Sequence, residues 1–154
     1  MKKTLYIILF ILILFIASCS NKQKVIEQYQ FYMKKDLEYI SKFEETEKLL
    51  YEMEINNKQD LNDYKDRIEN DLISNLKKSL SYLKSINISS KHLCKIHEIL
   101  ILSRENLVKS YFLYISELNI KNFKEKQEEL KLNLQQVETL EKTYKIQLNE
   151  YLFQ

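Results

Sequence analysis

The sequence predicts an all-α fold, and three observations carry this prediction. Apolar residues recur at steps of three and four along almost the whole chain, which is the spacing of an amphipathic helix. The 154 residues include no glycine and no proline, which shape most tight hairpin turns, and this argues against an all-β fold. Polar breaks near positions 57, 88 and 120 divide the pattern into four segments of similar length. We therefore expect an antiparallel up-down-up-down four-helix bundle after an N-terminal signal helix, with a three-helix bundle or elongated helical hairpins as alternatives.

The first two helices of the bundle are predicted from residue 24 to residue 55 and from residue 59 to residue 86. Asn56 and Asn57 end the first, because Asn tolerates the left-handed backbone that closes a helix. Asn57 or Asp60 caps the second. The first apolar stripe consists of Ile26, Tyr29, Met33, Leu37, Ile40, Phe43, Leu50 and Met53. The second consists of Leu61, Tyr64, Ile68, Leu72, Leu76, Leu80 and Leu83.

The last two helices are predicted from residue 91 to residue 118 and from residue 123 to residue 151. Ser89 or Ser90 is the expected cap of the third helix and Asn122 that of the fourth. The third stripe consists of Leu93, Ile96 or His97, Leu100, Leu107, Tyr111, Ile115 and Leu118. The fourth consists of Phe123, Leu130, Leu134, Val137, Leu140, Tyr144, Leu148 and Tyr151.

The N-terminus has the layout of a secretion signal. Lys2 and Lys3 form a short basic region, and an uncharged apolar run extends from Leu5 to Ala17. Small residues and Cys19 follow, and the composition then changes abruptly to polar residues. The apolar run is shorter than the roughly 20 residues that a membrane-spanning helix needs, which is typical of a signal-peptide core.

The residues Ile16-Ala17-Ser18-Cys19 resemble a bacterial lipobox, in which an aliphatic residue and two small residues precede a cysteine. The resemblance implies that the thiol of Cys19 receives a diacylglycerol group and that the signal is cut between Ser18 and Cys19. Two acyl chains such as palmitate anchor a protein firmly to a bilayer. The implied organisation is a signal peptide at 1–18, a lipidated tether at 19–24 and a helical domain at 25–154, held on the extracytoplasmic side of the cell membrane or outer membrane.

Residues 80–110 are also similar to the middle of small uncharacterised helical lipoproteins. The resemblance rests on a helix ending in Lys84-Ser85-Ile86-Asn87 and on the polar stretch from Ser89 to Glu98, which places a histidine, His97, ahead of an apolar run. It supports a helix boundary near residue 88 and implies no biochemical activity.

The charge of the chain argues against a nucleic-acid binder. The formal net charge is +2, and loss of Lys2 and Lys3 with the signal leaves equal numbers of basic and acidic side chains. A nucleic-acid-binding domain normally carries a basic excess or stripe. The absence of glycine also excludes glycine-rich phosphate-binding loops.

Cys94 and His97 are the only pair with a metal-binding spacing, and they are a weak candidate. They lie three residues apart and so on one helix face, and both residue types bind zinc. A site needs three or four ligands, and no second cluster of Cys and His completes this one. We expect Cys94 to be buried as a small hydrophobe and His97 to hydrogen-bond a carboxylate or a backbone group. We predict no metal, no cofactor and no catalytic residue.

Arg104 and three tyrosines are the remaining candidates for a role beyond packing. Arg104 falls inside the apolar stripe of the third helix, so it either pairs with Glu47 or Glu141, each of which interrupts another stripe, or extends its head to solvent. Exposed aromatics can mark a partner-binding surface. The residues to test for exposure are Tyr32, Tyr39 and Tyr114.

These observations favour a membrane-anchored extracytoplasmic lipoprotein whose helical domain is not an enzyme. Its partners are expected to be the membrane, through the lipid, and a protein or envelope component, through the helical domain. A small-ligand or lipid-binding bundle is the alternative, and a core pocket above roughly 300 Å³ would favour it. A metal-handling lipoprotein is the third possibility.

Overall fold

The computed structural model describes the backbone of residues 2–153 and the side chains of residues 21–153. Within this range every regular element is a helix, which confirms the all-α class. The elements are α1 (Lys2–Tyr51), α2 (Lys58–Arg67), a π-helical segment (Ile68–Ile73), α3 (Ser74–Ser85), α4 (Lys91–Glu117) and α5 (Phe123–Phe153). Because α2, the π segment and α3 follow one another without a break, the chain forms four helical rods, and the breaks between them fall near the predicted polar interruptions. The predicted end of the first helix at residue 55 is wrong: α1 ends at Tyr51, and no described residue has the positive φ expected of Asn56 or Asn57.

Two of the predicted caps hold the starts of α2 and α4. The Asn57 side-chain oxygen accepts hydrogen bonds from the backbone N–H groups of Gln59, at 2.8 Å, and Asp60, at 3.0 Å. The Ser90 hydroxyl accepts one from the N–H of Leu93 at 3.3 Å. These bonds satisfy N–H groups that a helix leaves without partners in its first turn.

Asn122 lies immediately before α5, at the predicted cap position, and its backbone carbonyl accepts from the N–H of Lys126 at 2.9 Å, but its side chain does not cap the helix. Its side-chain oxygen accepts from the backbone N–H of Asn119 at 2.7 Å, and its amide nitrogen donates to the carbonyl of Glu117 at 2.9 Å. Both partners lie before it in the chain, so Asn122 closes the loop after α4.

The π segment is the one departure from a regular helical period along the second rod. Ile68, Leu72 and Ile73 are all buried, with at most 1% of their surface exposed. A regular helix turns 100° per residue, so it cannot direct two adjacent residues equally well toward one side. The wider π turn brings Leu72 and Ile73 into the same core.

The first rod includes the stretch that the sequence suggested as a tether. Residues 21–24 belong to α1, and the Lys22 ammonium lies 5.3 Å from the ring centroid of Tyr151 on α5. Further along, Ile26, Tyr29 and Phe43 are buried. From Ile26 onward α1 is therefore packed into the domain, whereas three of residues 21–24 are exposed, and the tether at 19–24 stays a prediction.

The rods pack in a way that is consistent with a helical bundle. α4 makes its most extensive contact with α5 and also packs against α3, whereas α1 packs mainly against α3 and the π segment. The buried apolar residues fall into two groups. The first apolar cluster consists of Ile26, Tyr29, Leu83, Leu93, Ile96, Leu100, Tyr144 and Tyr151. The second consists of Phe43, Leu50, Leu61, Tyr64, Ile68, Leu72, Ile73, Leu76, Leu107, Tyr111, Tyr114, Leu118, Leu130 and Val137.

Candidate functional site

A polar layer separates the two apolar clusters. Along each rod it falls between the last residue of one cluster and the first of the other, for example between Leu100 and Leu107 on α4. Four of its side chains are buried although they are polar or charged: Asp36, Ser79, Ser103 and Arg104. Buried polar groups are costly unless they are hydrogen-bonded, so the partners of this layer determine what it can do.

Asp36 and Ser79 join α1 to α3 within the layer. Asp36 is 4% exposed and Ser79 is fully buried, and the Ser79 hydroxyl donates to one carboxylate oxygen of Asp36. A carboxylate has about four lone-pair sites. One serine donor therefore leaves Asp36 with unused hydrogen-bonding capacity at the edge of the core.

Arg104 and Glu141 join α4 to α5 in an ion pair. Of the two predicted alternatives for Arg104, pairing with a carboxylate is therefore the one observed. The Arg104 side chain is only 9% exposed and that of Glu141 is 31% exposed. Glu47, the other carboxylate considered, accepts a hydrogen bond from the hydroxyl of Tyr111 instead. Burial and the Glu47 carboxylate raise the pKa of Tyr111, so its hydroxyl stays protonated and donates.

One donor of the Arg104 guanidinium has no acceptor. Its Nε–H is buried and makes no hydrogen bond with any residue that the structure describes. An unmet buried donor costs roughly 1–3 kcal/mol, and more when it is charged. The polar layer is therefore not fully satisfied by the protein's own groups.

An open cleft of about 430 Å³ lies beside this layer. α4 forms its floor with Leu100, Arg104 and Leu107, and α1 and α5 form its two walls. At 1.5 Å per residue, the lining stretch of α1 from residue 33 to residue 47 is about 20 Å long. The lining from α1 and α5 consists of Met33, Asp36, Leu37, Ile40, Phe43, Glu44, Glu47, Leu134, Val137, Glu138, Glu141, Tyr144 and Lys145.

The charges on the walls explain why α1 and α5 do not close over α4. Carboxylates face the cleft from both walls, at positions 36, 44 and 47 on α1 and at positions 138 and 141 on α5. Closing the walls would bring like charges together and remove water from them, both of which raise the free energy. Arg104 offsets part of this charge from the floor and is committed to Glu141.

A hydrogen-bonded chain of His97, Tyr29 and Tyr144 crosses the first apolar cluster and reaches one end of the cleft. His97 Nε2 lies 2.9 Å from the backbone carbonyl oxygen of Leu83 and must donate to it, since a carbonyl only accepts. Its Nδ1 then accepts from the Tyr29 hydroxyl at 3.1 Å, and Tyr144 donates to the Tyr29 oxygen at 3.1 Å. Burial lowers the pKa of His97, which agrees with this neutral form.

This chain determines the outcome for the predicted pair of Cys94 and His97. Both ring nitrogens of His97 are engaged, so the imidazole has no free nitrogen for a metal. Cys94 is half-buried, not buried as expected. It lies beside the inward face of α4, and its Sγ lies 3.9 Å from the carboxylate of Glu98 one turn later. Among the described residues, no group of three or more His, Cys, Asp or Glu side chains is placed to hold a metal ion.

The three tyrosines predicted as an exposed surface do not share one environment. Tyr114 is 4% exposed, so its predicted exposure is wrong. It is buried because its ring packs edge-on against Tyr64, with the two hydroxyls 3.3 Å apart. Tyr32 and Tyr39 are half-buried on α1, and the Tyr39 ring lies 6.2 Å from that of Tyr82 on α3.

The side chains of Ser18 and Cys19, the predicted sites of cleavage and lipid attachment, lie outside the residues whose side chains the structure describes. Cleavage and lipidation there stay predictions. Within residues 21–153, no helix carries an apolar stretch long enough to cross a bilayer.

Sequence reasoning missed the cleft and several of its residues. The apolar pattern predicts Leu37 as the inward residue, but Leu37 is 60% exposed and the neighbouring Asp36 is buried. Ser79, Glu44 and Glu138 carry no pattern that distinguishes them from surface residues. The interruptions of the apolar stripes at Glu47 and Glu141 were the available signal, because two acidic residues at inward positions predict an incompletely closed core.

Comparison of the chain with known protein families, curated proteins and solved structures found no match.

Proposed function

We propose that this protein is a membrane-anchored extracytoplasmic lipoprotein whose helical domain binds a small, partly apolar molecule in the cleft between α1, α4 and α5. The observation that carries the proposal is the cleft volume of about 430 Å³. Ligand sites are typically concave, largely apolar and about 300–1,000 Å³ in volume, with a few polar groups that orient the ligand. The cleft has this make-up, with an apolar floor and charged groups at defined places.

The anchoring part of the proposal is supported by the lipobox-like residues that end at Cys19. Lipid attachment there would hold the domain at the membrane surface, since the packed part of α1 begins only a few residues later. The cleft would then be presented to solvent on the outer face of the membrane, where a soluble or surface-bound ligand can reach it.

We propose binding without catalysis. His97 is the one buried histidine of the described residues, and its two nitrogens hold together the first apolar cluster through Leu83 and Tyr29. His97 is not among the residues that line the cleft, so this imidazole is not placed to act as a general base on a bound molecule.

A tryptophan reporter tests ligand binding. The chain contains no tryptophan, so Leu37→Trp places a single fluorophore on the cleft rim. Leu132→Trp is the matched control, because Leu132 is equally exposed, at 62% against 60%, and does not line the cleft. Small-molecule fractions of a cell-envelope extract should shift the emission of Leu37→Trp saturably and leave that of Leu132→Trp unchanged. Equal responses from both variants, or none from either, would remove the proposal.

Metabolic labelling with a palmitate analogue tests the anchor. The wild-type protein and Cys94→Ser should take up label, whereas Cys19→Ala should not. Mass spectrometry of the N-terminal peptide gives a direct reading. An unmodified Cys19 still joined to Ser18 in the mature protein would contradict the anchoring proposal.

A protein or envelope partner is the second candidate function, and it has an observation of its own. Tyr32, Tyr39 and Tyr82 lie half-exposed across α1 and α3, with the Lys35 ammonium 5.1 Å from the Tyr82 ring centroid and with Phe31 69% exposed beside them. A photo-crosslinking residue at position 39 should capture a partner that the same residue at position 132 does not. If both positions capture the same proteins, this surface is not specific.

A further inference from the structure

We propose that the cleft ligand is an organic amine: a protonated amine attached to an apolar body, with a hydrogen-bond acceptor near its centre. This inference rests on the proposed function and names the chemical class of its ligand. Three features of the cleft carry it, namely its charge balance, its two uncommitted rim carboxylates and the incomplete hydrogen bonding of Arg104.

The charge balance of the cleft is acidic. Its lining includes two basic side chains, Arg104 and Lys145. It also includes five carboxylates, those of Asp36, Glu44, Glu47, Glu138 and Glu141. A concave surface with one sign of charge and apolar walls concentrates ligands of the opposite sign. An anionic ligand would meet this excess at short range, whereas a cation would be attracted by it.

Glu44 and Glu138 are the carboxylates that remain available to a ligand. Asp36, Glu47 and Glu141 each already hold a donor from the protein. Glu44 and Glu138 are exposed on opposite walls, and neither forms an ion pair with any residue in the 21–153 range. An ammonium group bound between the walls would be attracted by carboxylates on both sides.

The floor of the cleft selects for an apolar body behind the ammonium. Leu100 and Leu107 of α4 lie below the opening, and Ile40, Phe43 and Val137 line the walls next to them. Burying apolar surface of a ligand against these side chains supplies binding free energy in proportion to the area removed from water. A small hydrated metal ion or a fully charged polyamine would leave this surface uncovered.

Arg104 adds a requirement for an acceptor. Its side chain is more than nine-tenths buried, lines the cleft and leaves its Nε–H without a partner. Because Nε is closed off from solvent, a hydroxyl or carbonyl oxygen on the ligand would provide the missing acceptor together with a small rotation of the Arg104 side chain. The ammonium at the rim and the acceptor at the floor then fix the orientation of the molecule.

Three matched compounds test the proposed charge of the ligand. Phenylalaninol has a protonated amine, a hydroxyl and an apolar ring; N-acetylphenylalaninol is its neutral counterpart, and N-acetylphenylalanine is an anion of similar size. Each is titrated into the full-length Leu37→Trp protein in nanodiscs, with empty nanodiscs as the blank. The attraction between the ammonium and each of two solvated carboxylates is worth about fivefold in affinity. Phenylalaninol should therefore bind at least tenfold tighter than the neutral compound, which lacks this attraction, and the anion should bind most weakly.

Paired substitutions locate the effect. Glu44→Gln with Glu138→Gln should reduce phenylalaninol affinity at least tenfold and leave the affinity for N-acetylphenylalaninol unchanged. Glu45→Gln with Glu150→Gln is the control, because it removes the same charge from exposed positions on the same two helices outside the cleft. Circular dichroism of each variant verifies the fold.

The outcomes separate the ligand class from the proposed function. Equal affinity for the cation and the neutral compound, or equal losses in both paired variants, would overturn the amine proposal. If an extract fraction still shifts the Leu37→Trp emission in that case, ligand binding stands and only its class is wrong. If neither the extract nor any of the three compounds produces a saturable shift, both proposals fail.

Discussion

A double-mutant cycle on Arg104 and Glu141 tests how the polar layer is held together. Glu141→Gln leaves the Arg104 cation, 9% exposed, without its carboxylate. Arg104→Met leaves Glu141, 31% exposed, which can turn toward the solvent that already reaches it. The two single substitutions should therefore have unequal effects, and the double substitution should be close to wild type.

The burial of the two side chains sets the expected magnitudes. Breaking a fully buried pair by removing one partner destabilises a protein by about 3–5 kcal/mol, and an exposed pair contributes about 0–1 kcal/mol. Since Arg104 is buried and Glu141 is partly solvated, we expect Glu141→Gln to lower the free energy of unfolding by about 2–3 kcal/mol. Arg104→Met should lower it by less than about 1 kcal/mol, because a long apolar side chain fills much of the same space. The coupling free energy between the two sites should then be about 2–4 kcal/mol.

Urea denaturation followed by circular dichroism measures each term. The urea midpoint should be lowest for Glu141→Gln, higher for Arg104→Met and highest for the wild type, and the slope of the unfolding free energy against urea concentration should be unchanged. If Arg104 merely extended along the bundle surface, Glu141→Gln would cost almost nothing. A coupling below about 0.5 kcal/mol, within the range expected of independent sites, or a larger loss for Arg104→Met than for Glu141→Gln, would refute the reasoning.

Three further predictions concern the core. Ser79→Ala leaves Asp36 buried without its donor and should lower the free energy of unfolding by about 1–3 kcal/mol; an unchanged urea midpoint would contradict this. Leu72→Ala removes a fully buried side chain and should cost about 2–5 kcal/mol, whereas Leu132→Ala, at a site 62% exposed, should change stability by less than about 0.5 kcal/mol. Burial lowers the pKa of His97, so as the pH falls the histidine of the unfolded chain is protonated before that of the folded protein. The contribution of the neutral His97 to stability is therefore complete above about pH 6.5 and is lost as the pH falls toward the lowered pKa. The slope should be at most about 1.4 kcal/mol per pH unit, and a slope that persists in His97→Gln would assign it to other groups.

The positions of the helices were predictable because the chain has few ways to interrupt a helix. Without glycine or proline, only the polar breaks near 57, 88 and 120 end the periodic pattern. Asn57 and Ser90 then supply side-chain acceptors for the first turns of α2 and α4. Local residue chemistry decides both features, so one sequence is enough to find them.

The facing of side chains within a helix depended on packing that the sequence does not display. In α1, hydropathy favours Leu37 over Asp36, but the buried side chain is Asp36 because the inward face follows alternating steps of four and three from Tyr29 through Met33 to Ile40 and Phe43. The π segment is a similar case. Two adjacent apolar residues, Leu72 and Ile73, fit a regular helix pattern equally well, and only the shared core shows that both are buried.

The acidic residues that interrupt the apolar stripes explain both the shape of the cleft and its charge. At positions 36, 47 and 141, leucine would let α1 and α5 close over α4 and would remove the need for Arg104. Replacing buried charges by well-packed apolar residues is often neutral or stabilising by about 1–4 kcal/mol, so the polar layer does not maximise the stability of the bundle. Local departures from good packing are expected at functional sites. The cleft combines several such departures: carboxylates at three inward positions, an arginine with an unmet donor on the floor and two uncommitted carboxylates at the rim. Because they coincide in one place, the cleft is a stronger candidate for the binding site than the half-exposed tyrosines of α1 and α3.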